Sequence, residues 1–157
     1  MPHDQEFMHE AIRLAFTKMH EGHGGPFGAV IVREGSIIAR GFNRVTSTLD
    51  PTAHAEIDAI RKACQHLGTF QLTDCEIFIN CEPCPMCLAA LYWAGIARIT
   101  YAATRKDAAA IGFADDLIYD EIALPPHARR LPMVQLMRAA ALPGLAAWQE
   151  YAEKIPY

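Results

Sequence analysis

The chain has 157 residues, 52% of them apolar and 20% charged, a length and composition that suit one globular domain. Its formal charge of −4, without a long basic run, disfavours tRNA or duplex DNA as a partner and favours a small ligand. No stretch approaches the roughly 18 uncharged apolar residues that span a bilayer, and the polar N-terminus lacks the pattern of a signal peptide, so we expect a cytoplasmic protein with no nucleic-acid or membrane partner.

The first part of the chain is expected to form a helix and a hairpin. Apolar residues at near-helical spacing predict a helix over residues 4–21, which ends at Gly22. The next motif, HGGPF, indicates a glycine-rich turn. The segment AVIVREGSIIARGF then predicts two strands that are joined by a turn at Glu34 and Gly35.

Helices and strands alternate in the middle of the chain. The pattern predicts a helix over 53–66 with Gly68 as its stop, and then a strand over 75–80. A short helix, PMCLAALYWAG, has Pro85 in its first turn, and a strand over 97–103 follows it. This alternation predicts an α/β domain in which helical crossovers join parallel strands, with the antiparallel hairpin in front.

The last third of the chain, residues 105–157, has a less regular pattern. The segment DDLIYDEI is followed by a proline-rich connection and by the short apolar stretch LPMVQLM. The segment LAAWQEYAEK then predicts a final helix.

Three candidate metal ligands stand at the starts of two predicted helices. His54 opens the motif HAE, and Cys84 and Cys87 form PC-x-x-C about thirty residues later. Cysteines one helical turn apart can point the same way, and a helix N-terminus lowers the pKa of a thiol. Three protein ligands leave the fourth tetrahedral position to water or hydroxide, as in catalytic zinc sites. We therefore predict one Zn²⁺ per subunit, which this ligand set favours over other metals.

The other cysteines are expected to pack in the interior. Five cysteines, an odd number, fit poorly with a disulfide framework. Cys81 ends a predicted strand, and its side chain should face away from the metal if the strand alternation continues. Cys64 and Cys75 are also expected to behave as small buried hydrophobes.

Glu56 is the candidate proton shuttle, because it lies two residues after His54. A metal lowers the pKa of its bound water toward neutrality, and a nearby carboxylate can take that proton and return it to a leaving group. Alone, Glu56 could simply complement a helix dipole. Together with PC-x-x-C, the motif HAE matches the H-x-E…P-C-x-x-C signature of zinc nucleobase deaminases.

The chain resembles the cytidine/deoxycytidylate deaminase superfamily, and within it the bacterial guanine deaminases, over nearly its whole length. The motifs that carry the resemblance are HGGPFGAVIV, GFNRV, DPTAHAE, TDC, CEPCPMCLAALYWA, YAA, GFADDLIYDEI, AW and a terminal aromatic residue. The resemblance implies a three-layer α/β/α fold around a five-stranded mixed sheet. It also implies zinc on His54, Cys84 and Cys87, Glu56 as proton shuttle, and hydrolysis of guanine to xanthine and ammonia in purine catabolism or salvage.

The resemblance also bears on domains and subunits. It implies one deaminase domain over residues 1–157 and a homodimer. In the relatives the C-terminal segment covers the active site, and in domain-swapped dimers it comes from the partner subunit. We therefore expect that the segment of about 140–157 can be exchanged between subunits.

Four residues of the first two thirds of the chain are candidate substrate contacts. Phe27 follows HGGP in a loop that can reach the site, where a flat ring can face a flat heterocycle. Asn43 offers a donor and an acceptor that match the N7/O6 edge of guanine, or it is a turn asparagine. Trp93 is either a core residue or a pocket wall. Ala55, inside HAE, is the fourth candidate.

Two further candidates lie near the C-terminus. Asp115 and Asp116 could form the N-cap pair of the following helix. In the guanine deaminases that the chain resembles, the first carboxylate of this segment contacts the substrate amino group, which implies a binding and catalytic role for Asp115. Tyr157 could be a frayed end, or it could contact substrate as the terminal aromatic residue does in the relatives. Pro156 departs from the pattern of the relatives, so the final turn can differ.

Three other functions remain open at this point. A tRNA adenosine deaminase shares HAE and PC-x-M-C, but the acidic balance and the C-terminal segment FADDLIY argue against it. Another small heterocycle, such as cytosine or ammeline, could be the substrate. A zinc-stabilised binding module without catalysis would have no use for Glu56 and would usually supply a fourth ligand.

Overall fold

A computed structural model describes residues 2–157, and these fall into two compact units. The first unit ends at Tyr119, and the second unit is Asp120–Tyr157. None of the described helices is long and apolar enough to cross a membrane. A single domain over the whole chain stays a prediction, and each unit is described by itself.

The first unit contains a four-stranded mixed sheet. Its strands are β1 (Gly28–Arg33), β2 (Ser36–Phe42), β3 (Cys75–Cys81) and β4 (Arg98–Ala103), in the order β2-β1-β3-β4. Strand β1 is antiparallel to both β2 and β3, whereas β3 and β4 are parallel. The predicted hairpin and the parallel pair joined by a helix are therefore confirmed.

The prediction of five strands is wrong, because the sheet of the described residues has four. The chain leaves the sheet directly after β4. Thr104 accepts a hydrogen bond from the backbone N–H of Asp107, whose carboxylate accepts one from the N–H of Thr104, and this capping box starts a helix at once. The later apolar stretch LPMVQLM, residues 131–137, is not a strand. Its Pro132 could not donate to a ladder.

Seven α-helices lie within residues 2–157: α1 (Pro2–His20), α2 (Val45–Thr48), α3 (Ala55–Leu67), α4 (Pro85–Ala94), α5 (Arg105–Ala110), α6 (Asp115–Ala123) and α7 (Arg138–Glu150). The predicted stops of α3 and α4 are confirmed, since Gly68 and Gly95 adopt φ of 66° and 70°, which glycine reaches without steric cost. The hairpin turn is also confirmed, with φ of 51° at Glu34 and 72° at Gly35. Helix α5 was not predicted, although its capping signal T-x-x-D is visible in the sequence.

The sheet lies between two helical layers. Side chains of a strand alternate between its faces, and β1 shows this directly. Ala29 and Ile31 belong to a core cluster with residues of α3 and α4, whereas Val30 and Val32 pack with Phe7 and Leu14 of α1. Helix α1 therefore covers one face of the sheet, and α3 and α4, which begin at the predicted metal ligands, cover the other.

Helix α3 packs against the backbone of β2 at Gly41. A Cβ atom at Gly41 would lie 2.0 Å from the carbonyl oxygen of Ala55 and 2.6 Å from the backbone nitrogen of Ala59. This contact fixes the start of α3, and with it His54 and Glu56, against the sheet.

Gly41→Ala is therefore expected to lower the free energy of unfolding by about 1–3 kcal/mol, the usual cost of overpacking a core. The measurement is chemical denaturation beside Gly144→Ala, a control at a helical glycine whose added Cβ would meet nothing within 4 Å. Equal stability of Gly41→Ala and wild type would contradict the close packing of α3 on β2.

The second unit contains the end of α6, a 3-10 turn at Pro126–Ala128 and α7. The guanidinium of Arg129 donates hydrogen bonds to the backbone carbonyls of Glu121, Ile122 and Leu124, which satisfies the C-terminal end of α6. Helix α7 begins earlier than LAAWQEYAEK predicts and contains Pro143 in its interior. The helix also ends at Glu150, so the last four residues of the predicted segment, 151–154, lie outside it.

Candidate metal centre and adjoining cavity

The structure brings the three predicted metal ligands together. His54 and Cys84 are the N-cap residues of α3 and α4, and Cys87 lies in the first turn of α4. The Nδ1 atom of His54 is 3.5 Å from the Sγ atom of Cys84 and 3.5 Å from that of Cys87. The three donor atoms all lie within 4.8 Å of one another. Two helix starts thus present one nitrogen and two sulfurs to a common point.

This donor set fits zinc in both chemistry and spacing. A tetrahedral ion with Zn–S bonds near 2.3 Å and a Zn–N bond near 2.0 Å has sulfur–nitrogen edges of about 3.5 Å. The two distances of 3.5 Å match that edge. The chain could therefore hold Zn²⁺ with three protein ligands.

The two thiols differ in acidity. The pKa of Cys84 is lowered to about 4, mainly by a hydrogen bond from the Cys87 thiol and further by His54. The pKa of Cys87 is raised, because the Cys84 thiolate and burial both favour its protonated form. Both thiols must be deprotonated to bind a metal, so metal binding here would release protons.

Glu56 is the buried carboxylate next to this cluster. It follows Ala55 at the start of α3, and only 5% of its surface is exposed. Burial raises the pKa of Glu56 to about 7, with a further contribution from the Cys84 thiolate. A group that changes charge near neutral pH suits proton transfer in both directions.

A cavity of about 440 Å³ opens beside the cluster. This volume is in the range of small-molecule sites. Its walls include His54, Cys84 and Glu56, and beyond them two glycines, two aromatic rings, polar groups and two further carboxylates: Gly24, Gly25, Phe27, Asn43, Val45, Thr46, Pro51, Cys81, Glu82, Phe113 and Asp115. The predicted contacts Phe27, Asn43 and Asp115 therefore share one cavity with the predicted metal site.

Asn43 lines this cavity, and the oxygen of its amide is bound by the protein itself. Its Oδ1 atom accepts hydrogen bonds from the backbone N–H groups of Gly25 and Val45, at 3.1 and 3.2 Å. Because Oδ1 is occupied, the Nδ2 group is the part of Asn43 that remains for a ligand. The side chain is thus both a turn asparagine and a cavity wall. Gly24 must lack a side chain, since its Cβ would lie 2.3 Å from Oδ1 of Asn43.

Two phenylalanines form the aromatic wall of the cavity. The rings of Phe27 and Phe113 meet edge to face, with centroids 4.8 Å apart and an interplanar angle of 85°. Phe113 was missed at the level of sequence, although it stands in the motif GFADD. Its contribution depends on a tertiary contact with Phe27 that spacing cannot reveal.

Asp115 and Asp116 point to different surroundings. Asp115 is the first residue of α6 and lines the cavity. Burial raises the pKa of Asp115, and the nearby Cys84 thiolate adds to that effect. Asp116 instead forms an ion pair with Arg105, with 3.4 Å between Oδ1 and Nε. Both lie in the first turn of α6, and only Asp115 faces a ligand space.

Three predicted contacts are not found among the cavity walls. Ala55 is fully buried in the core cluster between α3 and the sheet, so only its backbone could contact a substrate, and that contact stays a prediction. Trp93 lies on α4 with 68% of its surface exposed, so it is neither a core tryptophan nor a wall of this cavity. Tyr157 is exposed in the second unit, and its contact with substrate stays a prediction.

The remaining cysteines are free thiols outside the metal cluster. Cys81 donates to the carbonyl oxygen of Thr104 at 3.6 Å, and it lines the cavity instead of facing away from it. Cys75 is fully buried, as predicted, whereas Cys64 is only partly buried where it packs against the same core.

Comparison with known proteins identifies a family and a relative of nearly the same length. Residues 1–103 match the family described as the zinc-binding region of cytidine and deoxycytidylate deaminases. The chain is 50% identical to the guanine deaminase of Bacillus subtilis strain 168 over 153 residues, which cover 98% of both chains. The X-ray structure of guanine deaminase from Bacillus subtilis superposes with a TM-score of 0.94 over 98% of each chain.

Two more distant relatives match less of the chain. A guanine deaminase structure from Nitrosomonas europaea has 34% identity and a TM-score of 0.67, over 69% of this chain and 63% of that one. The tRNA-specific adenosine deaminase of Aquifex aeolicus is 42% identical over 100 residues, which cover 64% of this chain and 66% of that protein.

Proposed function

The chain belongs to the cytidine and deoxycytidylate deaminase family, and we propose that it hydrolyses guanine to xanthine and ammonia in purine catabolism or salvage. The observation that carries this proposal is the 50% identity to a guanine deaminase over 98% of both chains. That likeness extends past residue 103 through the segment with Phe113 and Asp115, which supplies part of the cavity wall.

The residues of the cluster would hold zinc through Nδ1 of His54 and the two cysteine sulfurs. Zinc in such a site activates water for attack on a carbon that bears an amino group. Glu56 would take one proton from the attacking water and pass it to the ring nitrogen. It would then move the remaining proton, from the hydroxyl on the attacked carbon, to the amino group, which leaves as ammonia while the carbonyl forms. The Glu56 pKa of about 7 lets this carboxylate both accept and return a proton at neutral pH.

The cavity walls would contact both the face and the edge of guanine and so orient the base for this reaction. The rings of Phe27 and Phe113 offer apolar contact to the face of the base. The Nδ2 group of Asn43 donates to the O6/N7 edge, which carries only acceptors. Asp115 accepts a hydrogen bond from the amino group that leaves, and together with Glu56 forms the proposed catalytic pair.

An ammonia-release assay tests the substrate. The zinc-loaded protein is incubated with guanine, guanosine, adenine, cytosine, ammeline or a tRNA anticodon stem-loop. Ammonia from guanine alone is the expected result. Ammonia only from the stem-loop would identify a tRNA adenosine deaminase, and no ammonia from any substrate would favour a zinc-stabilised binding module.

Asn43→Asp is expected to raise KM for guanine about 10- to 100-fold with little loss of stability. The carboxylate keeps an oxygen for the N–H groups of Gly25 and Val45 but replaces the Nδ2 donor with an acceptor. Steady-state kinetics and thermal unfolding measure the two effects separately. Asn43→Ala is the comparison, because it removes the loop contacts as well and should also lower the melting temperature. If Asn43→Asp has wild-type kinetics, Asn43 holds the loop but does not donate a hydrogen bond to the substrate.

We also propose a homodimer in which the segment of about 140–157 is exchanged between subunits. Two features support this: the resemblance to relatives with a swapped C-terminus, and large exposed apolar side chains of the second unit, such as Val134, Leu136 and Leu145. Light scattering measures the subunit number directly.

Deleting Tyr157 is expected to lower kcat/KM for guanine about tenfold, as the loss of one substrate contact would. A mixing experiment then tests exchange. A subunit without Tyr157 is refolded together with an inactive Glu56→Gln subunit that keeps Tyr157. Recovery of kcat/KM in the mixture means that Tyr157 acts on the partner's site, and no recovery means that it acts within its own subunit.

A further inference from the structure

Arg105, the first residue of α5, connects two parts of the cavity wall. Its backbone N–H donates to the carboxylate of Glu82 at 2.9 Å, and Glu82 lines the cavity two residues before Cys84. Its guanidinium pairs with Asp116 through Nε at 3.4 Å. The same guanidinium lies over the ring of Tyr119, with 4.6 Å between Cζ and the ring centroid.

Tyr119 connects Arg105 to the loop that carries the proposed metal ligand Cys84. Its hydroxyl donates to the carbonyl oxygen of Pro83 at 2.8 Å, and Pro83 directly precedes Cys84. Asp115 and Tyr119 are four residues apart on α6 and therefore lie on the same face, one turn apart. The hydroxyl contact thus ties the helix that carries Asp115 to the loop that carries Cys84.

The start of α6 is held from two sides. On the cavity side Phe113 packs against Phe27, and the N–H of Asp115 donates to the carbonyl of Phe113. On the other side stand the Arg105 contacts with Asp116 and Tyr119. Asp116 is the immediate neighbour of Asp115, so its ion pair restrains the backbone that aims the Asp115 carboxylate.

We propose that Arg105 and Tyr119 are positioning residues, which fix the Asp115 carboxylate relative to the metal ligands and the substrate. The proposal rests on the proposed function, since Asp115 is taken to contact guanine. Reacting groups must be held within fractions of an ångström, and small displacements lower the rate by large factors. The side chains of Arg105 and Asp116 are 40% and 45% exposed, so their pairing adds little to stability. An effect on turnover would therefore reflect geometry more than folding.

A double-mutant cycle tests whether Arg105 acts through Asp115. Arg105→Gln keeps the backbone N–H that binds Glu82 but removes the ion pair and the ring contact. We expect kcat/KM for guanine to fall about tenfold, with zinc content and melting temperature near those of wild type. In an Asp115→Asn background the same substitution should cause no further loss. Lys106→Gln is the control, because it removes the same charge from the neighbouring exposed position of α5.

Tyr119→Phe gives a second measurement that does not depend on Arg105→Gln folding well. It keeps the ring under Arg105 and removes only the hydroxyl contact with Pro83. We expect a fall of several-fold in kcat/KM that is again absent in Asp115→Asn. Multiplicative losses in the two cycles, or unchanged kinetics in both single variants, would overturn the proposal while the wild type still deaminates guanine. A wild type that releases no ammonia from guanine would overturn the proposed function, and this proposal with it.

Discussion

Glu56→Gln is expected to reduce kcat for guanine by a factor of about 10²–10⁴ while the protein still binds zinc. A positioned general acid–base contributes a factor of this size, and an amide of the same shape cannot carry a proton. The proposed metal ligands His54, Cys84 and Cys87 are unchanged, so the metal content should stay at wild-type level. Ammonia release measures the rate, and elemental analysis measures the zinc.

Asp58→Asn is the matched control for this substitution. Asp58 is the other buried carboxylate of α3, but it binds Nζ of Lys62 at 2.6 Å and the backbone N–H of Phe42 at 3.3 Å, and it is not among the cavity walls. Its loss should lower stability and leave the turnover of the folded protein intact. Substantial turnover by Glu56→Gln would show that another group moves the proton, and Asp115 would be the next candidate.

The elements that the sequence predicts well are those with local signals. Gly68 and Gly95 stop their helices because the left-handed conformation at these positions needs only the neighbouring residues. The clustering of His54 and the two cysteines is similar, since helix starts that the motifs HAE and PC-x-x-C mark bring these three side chains together. The proximity of the three candidate ligands could therefore be predicted from their motifs, and their binding of zinc stays a proposal.

The features that the sequence does not reveal depend on contacts between distant segments. Phe113 becomes a cavity wall only because Phe27 meets it from another loop. Asn43 was predicted as donor and acceptor, yet two backbone N–H groups of the folded loops use its oxygen. The five-stranded sheet was expected from resemblance, but the capping box at Thr104 directs the chain out of the sheet after β4. Trp93, at the end of an apolar helix, is largely exposed, which the spacing of the apolar residues in that helix did not predict.

Removing one zinc ligand is expected to abolish both metal binding and turnover. In Cys84→Ala the cluster keeps one nitrogen and one sulfur. Mutating a residue that only hydrogen-bonds a metal ligand already lowers metal affinity 10- to 100-fold, so loss of a ligand itself should lower zinc affinity by more than about 100-fold. Metal that binds only the native state stabilises it by about 4 kcal/mol at a thousandfold excess over Kd. The melting temperature of wild type should therefore fall when a chelator is added, whereas that of Cys84→Ala should not respond.

Cys81→Ala is the control that the same short segment provides. Cys81 and Cys84 are both buried cysteines of CEPCPMC, but the thiol of Cys81 binds the carbonyl of Thr104 and lies outside the metal cluster. Its truncation should leave zinc content and the response to chelator close to those of wild type, whatever its effect on turnover through the cavity wall. Loss of zinc from Cys81→Ala, or full zinc in Cys84→Ala, would contradict the assignment of ligands, because the two substitutions remove the same atom three residues apart.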